Sequence, residues 1–75
     1  MRIKCYYRRS MKMSATKLAT QVGHTIANLT RNIVPTDILV TEVGDDMFRD
    51  LKKTPRCFVQ EDAGTELVLG FWEHE

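Results

Sequence analysis

Along the chain the spacing of apolar residues changes period several times, and each change predicts an element. In "RIKCYYR", residues 2–8, Ile3, Cys5 and Tyr7 alternate with Arg2, Lys4, Tyr6 and Arg8, the period-two pattern of a strand with one buried face. From Ala15 the spacing becomes three and four. Ala15, Leu18, Ala19, Val22, Ile26, Leu29 and Ile33 then share an arc of about 100°, one apolar stripe on one helix. Ser14 stands where an N-cap belongs, and Pro35 ends the helical pattern. "DILVTEV", residues 37–43, is rich in β-branched residues and predicts a buried strand. "GDDMFRDLKKTP" predicts a short helix with Asp45 or Asp46 as cap and Met47, Phe48 and Leu51 facing inward. "RCFVQ" and "ELVLGFW" predict two more strands joined through "EDAGT", where Gly64 can supply the positive φ of a short hairpin loop.

The order β-α-β-(short α)-β-β places residues 1–75 in a single α+β domain. It predicts two layers: a four-stranded mixed sheet with one long amphipathic helix on one face. The strand-helix-strand opening favours a parallel pair, and the last two strands an antiparallel hairpin. The final strand is apolar on both sides, with Leu67, Leu69 and Phe71 on one and Val68 and Trp72 on the other. One helix covers one sheet face, so Val68 and Trp72 call for a second cover. The short helix could supply it, and so could a second copy of the chain, as a homodimer through the Val68/Trp72 face.

Residues 18–33, "LATQVGHTIANLTRNI", carry a small residue, a glycine four positions later and an apolar anchor six beyond that: Ala19, Gly23 and Leu29, flanked by Leu18 and Val22. To that extent the stretch resembles the helix-turn-helix regulators. It departs from their pattern at His24 and Asn32, where apolar residues are usual. A turn at Gly23 would also rotate the second helix out of register, whereas Ile26, Leu29 and Ile33 continue the first stripe. One continuous helix accounts for every apolar position, at a cost of about 1 kcal/mol for the interior glycine.

Composition narrows the class. With 43% hydrophobic and 28% charged residues, the 75-residue chain reads as a folded domain near the lower limit for a self-sufficient core. Two cysteines, and no apolar run long enough for a secretion signal or a membrane span, lead to an expected cytoplasmic, membrane-free protein. The net charge of +1 conceals an asymmetry: no acidic residue precedes Asp37, and all ten lie from there onward. Whether the acidic half neutralises the basic half is left open by the sequence.

Candidate binding residues follow from that asymmetry. Lys17, His24 and Arg31 are seven apart on the side of the helix away from its stripe, with Thr20, Gln21 and Asn28 between them and no acid on the helix. An ordinary solvated helix mixes Glu with Lys, so this face, with Trp72 as an aromatic anchor, suits docking on an acidic protein surface or a larger protein complex. A second reading takes Arg2, Lys4, Tyr6, Arg8, Arg9 and Lys12 as a nucleic-acid surface, cations holding the backbone while tyrosine stacks a base. The same cations could pair instead with Glu42 or Glu66.

Chemistry is harder to find. Cys5, His24, Cys57 and His74 lack metal-ligand spacing, Asp45 and Asp46 read as a turn and cap, and the glycines form no phosphate loop. The expected function is therefore a non-enzymatic binding or regulatory protein of inhibitor or adaptor type, without metal or cofactor. Phages and mobile elements commonly encode such proteins. Nucleic-acid binding is the alternative, and a small enzyme or metal protein comes third.

Overall fold

The alternation over residues 2–8 is realised as β1 (Arg2–Arg8), and the sheet is organised around it. A computed structural model of the chain describes residues 1–31 and 33–73; Asn32 and His74, singled out above, lie outside the described residues. A single 3-10 turn (Arg9–Met11) leads to α1 (Ala15–Thr30). β2 (Asp37–Val43) then runs parallel to β1, with Ile3 beside Ile38 and Cys5 beside Val40. α2 (Asp45–Leu51) precedes an antiparallel hairpin of β3 (Phe58–Asp62) and β4 (Thr65–Glu73), and β4 also pairs antiparallel with β1. The order across the sheet is β2-β1-β4-β3, the mixed α+β arrangement the pattern predicts. In the hairpin turn Gly64 has φ +82, and Ala63 beside it also takes a positive φ, +50.

Ser14 caps α1, its hydroxyl accepting the N–H of Lys17 at 3.1 Å. The helix stops well before Pro35. Arg31 adopts φ +36, so Ile33 leaves the predicted stripe and is exposed.

The buried face of α1 is rotated from the apolar stripe. Leu18, Val22, Ile26 and Leu29 pack on Ile3, Cys5 and Val68 as expected, but Ala15 and Ala19 stay exposed while Gln21 and Thr25 are buried. Alanine methyls contribute little area, so the helix rolls toward its larger side chains. Gly70 decides how close it comes. A Cβ at that position would stand 2.9 Å from Thr25 Cγ2, 3.1 Å from Leu29 Cδ1 and 3.2 Å from Cys5 Sγ. The bare backbone of β4 is what lets Thr25 seat there.

Because α1 packs chiefly on β4 and β3, two expectations are corrected. Val68 is fully buried under α1, and Trp72 donates its Nε1–H to Leu29 O at 2.9 Å. The face that sequence reasoning left for a second copy is thus taken by the chain's own long helix. α2 covers the other face, where Phe48 and Leu51 pack with Val43, Leu69, Tyr6 and Phe71. Met47 points outward, and Gly44 rather than either aspartate is the N-cap.

The second correction concerns β2. Predicted as a buried strand, it is an edge strand with six of its seven residues exposed, and only Val43 is covered. A helix seated over β3 and β4 cannot reach the far side of the sheet.

Candidate interaction surface

Ile38, Leu39 and Val40 sit in the middle of this edge and are 37%, 37% and 45% exposed. Ile38 and Val40 share the α1 side of the sheet with Ile3 and Cys5, and Leu39 lies on the α2 side beside Lys4. An edge strand presents unpaired backbone groups that can template another strand, and natural sheets usually blunt theirs with bulges, lysines, prolines or short length. The opposite edge, β3, is blunted: it has five residues, a bulge between Gln60 and Glu61, and ends in Glu61-Asp62. β2 has seven residues in unbroken register and no lysine or proline, with carboxylates only at Asp37 and Glu42.

The apolar surface continues beyond the strand. Ile33 and Val34 are exposed, and a groove of about 400 Å³ runs between Ile26 and Thr30 of α1, Arg31, Ile33, Val34, Pro35 and Ile38. Ile33 also lines a neighbouring cleft of about 630 Å³ with Met1, Thr54, Pro55, Arg56 and Trp72. Arg31 and Arg56, on the two hollows, make no ion pair among the described residues.

Elsewhere the charges of the two halves meet. Arg2 and Lys4 both engage Glu73, Arg8 reaches Asp45 at 3.1 Å, Arg9 reaches Glu42 and Lys17 reaches Asp62, each at 3.3 Å. Hydrogen bonds from Lys4 and Arg2 hold the Glu73 carboxyl below the usual carboxylate range, and those from Ser10 and Arg8 do the same for Asp45. Such partly exposed pairs add little stability, but they spend the charge. Of the residues of the nucleic-acid reading, Arg2, Lys4, Arg8 and Arg9 are occupied by carboxylates and Tyr6 is stacked on Phe71 at 5.9 Å between centroids. Lys12 alone among those cations has no ion pair within the described residues.

The residues expected on the outer helix face do not stay together. Thr20, His24 and Asn28 are exposed on α1, but Thr20 and Asn28 bond to the helix's own carbonyls, of Thr16 and His24. Lys17 is committed to Asp62, Arg31 lies past the helix end at the groove, and Trp72 is under the helix. Gln21 is corrected outright: it faces inward at 8% exposure, with no hydrogen-bond partner for Oε1 among the described residues. Gln21→Leu is therefore expected to stabilise the fold by about 1 kcal/mol, because an apolar side chain leaves no buried acceptor unpaired. Urea unfolding reads this, and a loss of stability would mean that the amide has a partner.

Sequence reasoning missed Ile33, Val34, Ile38, Leu39 and Val40 as surface residues. The available signal was width: an apolar arc of about 100° on one helix cannot roof four strands.

For nucleophilic chemistry the structure offers little. Cys5 is buried, and burial pushes its thiol up to about 11; Cys57 is half-buried, also raised by burial, and both are free. Among the described residues no group of three or more His, Cys, Asp or Glu could hold a metal, and no helix is long and apolar enough to cross a membrane. Compared with protein-family models, curated proteins and solved structures, the chain matches none.

Proposed function

We propose that this chain is a non-enzymatic binding protein of the regulator or adaptor type, which works by accepting an extended protein segment along β2. The observation that carries this reading is the contrast between the two sheet edges: β3 is short and bulged, and β2 is longer, in unbroken register and apolar through its middle. Added strands gain affinity from main-chain hydrogen bonds and specificity from the side-chain positions alongside. The groove at Ile33, Val34 and Ile38 extends the contact, and Arg31 at its rim favours an acidic group at one end of the segment. The reading includes a reducing cytoplasm, supported by the free thiols of Cys5 and Cys57. The acid-bound cations of β1 weigh against a nucleic-acid surface.

The test is capture of proteins on the immobilised chain from nuclease-treated cytoplasm, comparing the native sequence with Val40→Lys. Val40 is exposed at the edge, so the substitution leaves the core in place; circular dichroism verifies that. Val40→Lys is expected to lower the captured protein at least tenfold, while Lys12→Glu changes it little. Equal capture by Val40→Lys, or loss of all binding on nuclease treatment, would overturn the proposal.

A further inference from the structure

We infer that the strand β2 accepts is β2 of a second copy of this chain, joining two four-stranded sheets edge to edge into one of eight strands. This rests on the reading of β2 as a docking edge and names its occupant.

A two-fold axis requires the edge to complement itself when reversed. Centred on Leu39, antiparallel pairing sets Leu39 opposite Leu39, Ile38 opposite Val40, and Asp37 opposite Thr41. Apolar side chains then meet apolar ones at the middle of the strand. Each aspartate meets a hydroxyl rather than another acid, and Glu42, which holds Arg9, meets Thr36. No like charges stand directly opposite, the arrangement that would destabilise such a pair. Shifting the centre to Val40 would set Glu42 against Ile38, which buries a carboxylate against an apolar side chain.

Outside the paired residues, Val34 is exposed in the segment that leads into β2, and Met47 is exposed on the α2 that follows it. The described residues have seven large apolar side chains left exposed. Three of them, Ile38, Leu39 and Val40, are consecutive on β2 and meet one another across the two-fold axis in this register. The fold supports this geometry because α1 sits over β3 and β4 and leaves the β2 side clear for the mate.

Light scattering with size exclusion on the full chain, combined with hydrogen exchange, tests the inference. The native chain is expected to run at twice 8.7 kDa at about 100 µM protein, and the β2 amides that point away from β1 should exchange slowly there and fast on dilution. Val40→Lys and, independently, Leu39→Arg should each raise the dimer dissociation constant at least 100-fold, because Leu39→Arg sets two arginines face to face and Val40→Lys sets a lysine against Ile38 of the mate. Lys12→Glu should leave it unchanged. A monomeric native chain whose outward-pointing β2 amides exchange freely overturns the inference, as does a dimer that survives both β2 substitutions. The docking reading is judged separately. A monomer that still captures other proteins in a Val40-dependent way sinks only the second-copy occupant, whereas loss of Val40 dependence in both experiments sinks both.

Discussion

Phe48→Ala is expected to remove about 3–5 kcal/mol of folding stability, the range for truncating a buried phenylalanine. A domain of this length holds roughly 4–11 kcal/mol in total, so a large share of the molecules would unfold at moderate temperature. The cost is high because α2 is the only helix on its side of the sheet and Phe48, at 3% exposure, is its only fully buried residue among those described. The ring packs with Val43 and Leu69, and the Arg8 guanidinium stands over it at 5.6 Å from the centroid. Its removal therefore uncovers the one buried residue of β2 as well as part of the sheet. Denaturant unfolding gives the loss directly, and hydrogen exchange at Val43 should accelerate with it. Phe48→Leu, which refills most of the space, should recover more than half of the loss. A decrease below about 1 kcal/mol for Phe48→Ala would mean that α2 is not the cover this fold depends on.

Gly70→Ala is the second large effect, and its sign runs against ordinary strand preferences. Replacing a strand glycine with alanine normally gains about 0.5–1 kcal/mol. Here the new methyl meets Thr25 Cγ2 at 2.9 Å, Leu29 Cδ1 at 3.1 Å and Cys5 Sγ at 3.2 Å. Thr25 is β-branched, stiff and fully buried, so relief requires moving the helix. Overpacking of this kind costs about 1–3 kcal/mol, and a net destabilisation is expected. The partner variant Thr25→Ala removes the closest atom and a hydroxyl that, among the described residues, bonds only to Gln21 O within the helix. The double variant should then be more stable than the sum of the two single losses, by about 1 kcal/mol in a double-mutant cycle. Additive losses would show that the helix does not bear on Gly70.

Much of this architecture is legible in the chain because it is written in local periods. Alternation over residues 2–8, the three-four spacing after Ser14 and the glycine in the hairpin turn report local conformation, and each found its element. The expected interaction surface fared differently. Gln21 belonged by spacing to the outer face of α1 and is inside, whereas Ala19 belonged to the stripe and is outside. Spacing specifies which residues share a helical face, but the angle at which that face meets the sheet depends on the partner surface, and here on the missing side chain of Gly70. Trp72 and Val68 were read as lacking cover for the same reason: nothing local says which side of a sheet a distant helix will choose.

Fold class, element order and the parallel-then-antiparallel character of the sheet are legible in the chain directly, because hydrophobic period and turn chemistry are properties of neighbouring residues. Three features emerge only on folding: most cations of the basic half pair with carboxylates of the acidic half, α1 sits over β3 and β4, and the apolar middle of β2 is left at an open edge. Each of these depends on distances between residues far apart in sequence, and burial is set by what packs on a strand rather than by its composition.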